Sequence, residues 1–445
     1  MSCTRSTRAR RLPARERYCE RSGRSESWCR SVPHGGVCGS RCLAPAVLLV
    51  ELLQAGRRRS LRPKATDRLA GVRRGTSLRP VAAAFVCFGV FWGTWAVSVL
   101  DIKATLGVSN GAFGLVLSVA LLAAAAANVV AGPLSERWGT GRTLAGALAG
   151  WGLLIILAST LHAAVIFGSV LVGVIALGGA IDVVMNVAAT AALGQRPGHL
   201  VRFHALFNAG AVAGALATGL VSRFADVSWR WIWLAVGLTA LALAQWCGRV
   251  LLPAGTVGER HGPLAALRTI RREHLIVLAI AFATAAMVEG GIDTWGVLFL
   301  RRQLASGLLV GAVAYAVGQS VATLARLTLG PAAGSLGAAR GVGLGAALAA
   351  AGLVLMASVD SVFLAGVGLV AAAAGVSVCW PLLLARASTA HNRPALVVSG
   401  VTSVGYLGFV FGPTIVGLLA QNLGLRAGLA ALALAASLVA AGASR

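Results

Sequence analysis

The chain carries little charge for its length. Of its 445 residues 12% are charged and 57% hydrophobic, whereas an ordinary soluble domain is about a quarter charged and just under half apolar. Only two lysines occur, Lys64 and Lys103, and neither stands in the GxxxxGK[ST] loop that cradles nucleotide phosphates. HExxH does not occur, which removes the two-histidine zinc site of a helical metalloprotease. Gly107-Val108-Ser109-Asn110-Gly111 fits GxSxG, but no strand precedes it to present the serine on a sharp strand-to-helix turn. The chain is therefore read as a non-enzyme without cofactor. Cysteine is sparse beyond the N-terminal tail, with five of the eight before residue 43. Cys29, His34, Cys38 and Cys42 have a spacing that fits no common zinc site, so no metal is expected.

What the sequence has in quantity is long apolar runs. Twelve follow Pro80, at roughly 80–100, 109–131, 143–160, 163–192, 203–222, 230–249, 275–299, 307–329, 341–358, 362–384, 395–420 and 425–443. Runs of 18 or more nearly uncharged residues cross a bilayer as helices. An all-α membrane protein of twelve transmembrane helices is predicted, in two six-helix bundles over 80–249 and 275–445 with a central loop at 250–274.

The net charge of +25 is uneven, because residues 1–79 hold 19 of the 39 Lys and Arg and five acids. The remaining charge lies mostly in short loops, so the basic balance points to membrane flanks and not to nucleic acid. With the N-terminus inside, cytoplasmic loops carry thirteen Lys and Arg beyond the tail, and the outer loops six: Lys103, Arg223, Arg230, Arg301, Arg302 and Arg426. This favours a plasma-membrane protein with both termini cytoplasmic. Residues 1–79 read as a disordered or mis-started basic extension, with an unusual targeting segment as a third reading. Its apolar run 43–53 comes too late for a signal peptide and contains Glu51. After Met1 the next methionine is Met185, so a later start would use a non-AUG codon, for example at Val72.

The two halves repeat. GPLSERWGTGR at 132–142 and GPAAGSLGAAR at 330–340 share Gly, Pro, Gly and Arg at an offset of 198, and the same offset carries Gly210, Gly214 and Gly219 onto Gly408, Gly412 and Gly417. The offset joins spans of equal parity, so the repeats are parallel, an architecture of secondary transporters with a substrate site between the halves.

GPLSERWGTGR resembles the loop motif of the major facilitator superfamily, with Glu136 at the acid position and Arg137 after it; the second copy has Gly334 and Ser335 there. Trp95-Ala96, Asp101-Ile102-Lys103-Ala104, Asp182 with Asn186, Arg202-Phe203-His204-Ala205-Leu206-Phe207, Glu289-Gly290 with Asp293 and Trp295, and Gly405-Tyr406-Leu407-Gly408-Phe409 resemble the fucose-permease-like sugar branch. Where that branch often has an arginine and a proline before Asp-Ile-Lys, this chain has Ser98 and Leu100, so that arginine's contact is not carried over. The resemblance implies a monomeric transporter of a small sugar-like solute, coupled to protons.

Acids inside apolar spans are costly, about 2.5–3.5 kcal/mol each at a helix centre. Asp182, Glu289 and Asp293 are the three within the twelve runs. Glu289 and Asp293 stand i, i+4 on one helix face, where repulsion and a dry setting oppose charging both, so the pair is expected to exchange a proton. Glu289 and Asp182 rank first as proton carriers. Trp92, Trp95 and Trp295 are candidate stacking faces for a solute, with interfacial anchoring as the other reading. Asn186, Asn208, His204 and Tyr406 complete the candidate substrate contacts, although a structural role suits His204, at the cytoplasmic end of its span, better. Arg326, ending the eighth run, is expected to snorkel. Gly132, Glu136, Arg137, Gly139, Arg142 and Arg340 are candidate gate residues, Arg137 and Arg142 bridging the halves when the cytoplasmic side closes. Efflux of an apolar compound, and a receptor built on the same scaffold, stay open.

Overall fold

The computed structural model describes residues 76–193, 197–254, 275–389 and 394–443, with Arg268, Ile270 and Arg271 between them. All belong to the compact unit Val72–Arg445. The tail to Gly75, with its cysteines, and most of the central loop, including Arg260 and Arg272, lie outside the described residues.

The chain forms α1 (Arg79–Leu106), α2 (Asn110–Trp138), α3 (Thr140–Thr160), α4 (Ala164–Leu193), α5 (Pro197–Phe224) and α6 (Trp229–Arg249), then α7 (Ile276–Arg302), α8 (Leu308–Leu336), α9 (Ala338–Ser358), α10 (Val362–Ser377), α11 (Cys379–Thr389), α12 (Pro394–Asn422) and α13 (Leu425–Gly442). Among the described residues there are twelve spans long and apolar enough to cross a membrane, α10 and α11 sharing one. Apolar side chains such as Leu122, Val129, Leu153 and Phe363 point outward, as suits a lipid-facing surface. Below, the side carrying Arg79 and Gly442 is the terminal face, and the side carrying Leu106 and Asn110 the far face.

The duplication is visible in the helix ends. The bounds of α8 and α9 equal those of α2 and α3 moved by 198 residues. The tight turns between them also match: Gly139 has φ 87° and Gly337 φ 81°. Both conformations lie where a Cβ is strained, which explains the second glycine of the repeated motif.

The repeated glycines set helix approach. Any Cβ on Gly210 or Gly214 of α5 would overlap the carbonyls of Val86 and Val90 on α1, while Gly89 and Gly93 of α1 face Phe207 and Ala211 in return. In the second half, Gly408 of α12 lies on the Ala283 carbonyl of α7. Further along the same helices, Gly219 meets Ala312 of α8 and Gly417 meets the Asn110 carbonyl of α2. Thus α5 and α12 each clamp a helix of their own half and then touch the other half. Small residues permit backbone contact where lipid supplies no hydrophobic drive.

Two expectations need correction. Asp101 and Lys103, placed in an outer loop by hydropathy, lie inside α1, which continues until Gly107 stops it in the left-handed region (φ 63°), with the Gly107 N–H on Lys103 O. The tenth span is also broken, because Pro381 has no N–H to give to Ser377 O, four residues earlier.

Candidate functional site

Between the halves lies a cavity of about 500 Å³, within the usual range for a small-molecule site. Its walls include Asp182 of α4, Glu289 and Asp293 of α7, Trp92 and Trp95 of α1, His204 and Asn208 of α5, and Tyr406 of α12. Eight of the ten residues expected to couple protons or bind solute therefore meet on one surface. Asn186 and Trp295 do not line it. The Asn186 amide is turned to Asp182, donating 2.9 Å bonds to its backbone O and to Oδ1. Trp295 is 0% exposed and packs edge-on to Phe113 at 6.1 Å, so no solute can stack on it here.

Each carboxyl has a distinct partner. Glu289 accepts from Arg326 in an ion pair. Asp293 accepts from the Gln319 amide at 3.0 Å, and Asp182 from Asn186. The expectation that Arg326 snorkels is thus overturned. Its Nε also donates to Ser377 O at 3.0 Å, the carbonyl that Pro381 leaves without a helical donor. Ser377 Oγ in turn donates to Ala322 O at 3.3 Å. One proline thereby breaks the tenth span and supplies the acceptor that holds the arginine in the cavity. On α8, Tyr315, Gln319, Thr323 and Arg326 all line the wall, a stripe at helical spacing that marks this helix as a cavity wall.

The far end of the cavity is sealed. Arg301 of α7 donates to both oxygens of Asp101 at 2.8 Å and to Val97 O at 2.8 Å, crossing between the halves. Lys103, 7% exposed, bonds Asn110 and stands over the rings of Phe113 and Trp295, 5.2 and 5.6 Å from their centres. Gly111 N donates to Gln421 Oε1 at 2.8 Å, and Ser118 shares a 2.7 Å bond with Thr414. Trp95, stacked on Phe113 at 5.8 Å, forms the floor. Toward the terminal face the wall residues His204, Leu327 and Tyr406 are exposed, so the cavity is reached from that side. Asn208 crosses midway, donating to Thr323 Oγ1 at 2.6 Å.

The gate candidates sit away from the cavity, at the two glycine turns on the terminal face. Gly132 is buried, whereas Glu136, Arg137, Arg142 and Arg340 are exposed. Arg137, Arg142 and Arg340 form no ion pair among the described residues, so the bridge expected of Arg137 and Arg142 is not made in this state. Thr143 Oγ1 donates to Gly139 O at 3.0 Å and fastens the turn itself.

Sequence reasoning missed Gln319, Thr323, Tyr315, Asn128 and the Asp101–Arg301 pair. The polar stripe on α8 was the signal available for the first three. Asn128 left no comparable pattern, and the motif that contains Asp101 gave no sign of its partner Arg301.

The family model of the Major Facilitator Superfamily matches residues 81–413. An uncharacterized MFS-type transporter of Yersinia pestis is 28% identical over 356 residues, 76% of this chain and 87% of that protein. Membrane protein MosC of Rhizobium meliloti is 25% identical over 357 residues, 79% and 86% of the two chains. Among solved structures, a bacterial homolog of the human lysosomal transporter Spinster, inward-facing and occupied, aligns with a TM-score of 0.66 at 15% identity, covering 82% of this chain and 95% of that one. The nucleoside transporter NupG aligns with a TM-score of 0.66 at 14% identity, covering 82% and 98%. At such identity the structural likeness speaks to fold alone.

Proposed function

Because the chain belongs to the Major Facilitator Superfamily, we propose that this multi-pass membrane transporter moves a small polar metabolite by proton-coupled alternating access. The observation that carries the proposal is the interbundle cavity holding three carboxyls in otherwise apolar spans. A carboxyl inside a membrane helix is costly, and such groups mark ion and solute pathways. Among the described residues Asp182 and Asp293 are hydrogen-bonded by amides and form no ion pair, so each can gain or lose a proton without breaking one. Glu289 is paired with Arg326, and in this reading its charge sets the position of Arg326 while the two aspartates carry the proton.

The halves, 80–249 and 275–445, would rock about this cavity. The far-face seal, Asp101–Arg301 and Lys103 against Trp295, would break as the terminal face closes. The turns at Gly139 and Gly337 would then bring Arg137, Arg142 and Arg340 into play. With both termini cytoplasmic, as loop charge favours, the state seen is open to the cytoplasm. The Asp-Ile-Lys stretch and the Glu289–Asp293 helix support a fucose-permease-like affinity and a sugar-like body for the solute. Proteoliposomes test this reading: uptake driven by an imposed proton gradient is expected from the wild type and lost in Asp182→Asn and Asp293→Asn. Equal gradient-driven uptake by all three would remove these acids from coupling.

A further inference from the structure

The charges on the cavity wall do not balance. Among the described residues of the wall, Asp182, Glu289 and Asp293 stand with one guanidinium, that of Arg326, which is bonded to Glu289 and the Ser377 carbonyl and also attracts Asp293 through space. The far-side cations Lys103 and Arg301 are off the wall, Lys103 held by Asn110 and two rings and Arg301 paired with Asp101. His204 stands at the exposed mouth. Among the described residues, Asp182 and Asp293 accept side-chain hydrogen bonds from amides alone, one on each half of the molecule.

In a confined, low-dielectric space two carboxylates in excess of the cations repel each other and whatever anion enters. A neutral solute leaves the excess in place, and an anionic solute adds to it. A solute bearing one positive charge reduces it, and the rest of the wall suits such a solute. Phe88, Trp92, Trp95, Tyr406 and Phe409 line the cavity, an aromatic wall of the kind to which a cation is drawn. Asn128 and Asn208 also line it; their amide nitrogens are given to Ala124 O and Gly179 O and to Thr323 Oγ1, which leaves the carbonyl oxygens for an ammonium or hydroxyl donor.

From this imbalance we infer that the transported solute is a small organic ammonium compound, whose positive group takes the place of protons on Asp182 and Asp293. The inference rests on the reading of this cavity as the transport site. It fixes the sense of coupling: a cation and a proton that occupy the same carboxyls exclude each other, so they cross the membrane in opposite directions. The other titratable groups on these walls are Glu289 with Arg326, Tyr315 on α8, Tyr406 on α12 and His204 on α5. Of these, Glu289 and Arg326 neutralise each other, and the tyrosines add no cation.

Binding to the purified full chain in detergent, without any gradient, tests the inference. Matched probes differ only in the ammonium group: glucosamine against glucose, and benzylamine against benzyl alcohol, with benzoate as the anion. Thermal shift and titration calorimetry are expected to show an amine bound and its neutral partner not. Affinity should fall about tenfold per pH unit on the acid side for each proton displaced. Asp182→Asn and Asp293→Asn should each weaken the amine at least ~10-fold, one decade being about 1.4 kcal/mol, while Asp360→Asn, in an exposed far-face pair with Arg426, should not. Should the carboxyl variants fold poorly, the wild-type pH profile decides alone. Preference for a neutral or anionic probe, an amine affinity unchanged by pH, or no amine response in the wild type would overturn the inference. Amine binding without gradient-driven uptake would instead sink the transport reading and leave the charge selectivity standing.

Discussion

Arg326 of α8 and Glu289 of α7 form an ion pair on the wall of the cavity between the halves, and the guanidinium is steadied from behind by Ser377 O at 3.0 Å. Breaking such a pair from one side strands the other charge, at about 3–5 kcal/mol where the pair is fully buried. Here the Arg326 side chain is 36% exposed, so a smaller loss of about 1–3 kcal/mol is expected for Arg326→Gln or Glu289→Gln. The double variant should recover most of it in thermal unfolding. A double variant no more stable than the weaker single one would show that the two groups do not act as a pair.

Pro381 gives a sharper handle on the same arginine. Pro381→Ala restores an N–H that can claim Ser377 O and compete with Arg326. The variant is expected to unfold no earlier than the wild type, because the helix break heals, yet to transport several-fold more slowly. Unchanged transport would mean that the Ser377 carbonyl does not position Arg326.

The far-face seal should be separable from the cavity. Arg301 holds Asp101 and Val97 O across the halves, and Ala96, 2% exposed, lies on the cavity wall just beneath. In a chain with its eight cysteines replaced by serine, Ala96→Cys should react slowly with an impermeant thiol reagent applied at the far face. Adding Arg301→Ala should speed that reaction several-fold. Equal rates would show that the pair does not hold the seal.

Helix approach has its own test. Gly408→Val forces a side chain onto the Ala283 carbonyl and is expected to cost more than about 3 kcal/mol, seen as lost folded yield. Gly146→Val, where an added Cβ would meet nothing within 4 Å beyond its own helix backbone, should change little. Similar yields for both would remove the glycine contact as the determinant.

The architecture was legible because span length and the offset of 198 depend only on order along the chain, and the offset reappears in the bounds of α2 with α8 and α3 with α9. The convergence of Asp182, Glu289 and Asp293 on one cavity was legible for a related reason, since membrane-buried acids turn inward. Trp295 and Asn186 were misplaced because a residue's type says nothing of whether a neighbour already fills or binds it. Trp295 is filled against by Phe113 and Lys103, and Asn186 is bound to Asp182. Lys103 and Asp101 were read as loop residues because hydropathy ends a span at a charge, whereas both charges find partners in the fold. Arg326 was lost the same way, its partners coming from the seventh and tenth spans.

The most direct test of the rocking cavity needs no substrate. Spin labels at Thr160→Cys and Ser361→Cys, exposed at the far ends of α3 and α10, report the separation of the halves by double electron–electron resonance. The account expects two distances, with the longer one gaining population in Arg301→Ala, and with low pH and the Asp182→Asn, Asp293→Asn double variant moving the balance in one common direction. A single distance, unmoved by pH or by any of these substitutions, would contradict it.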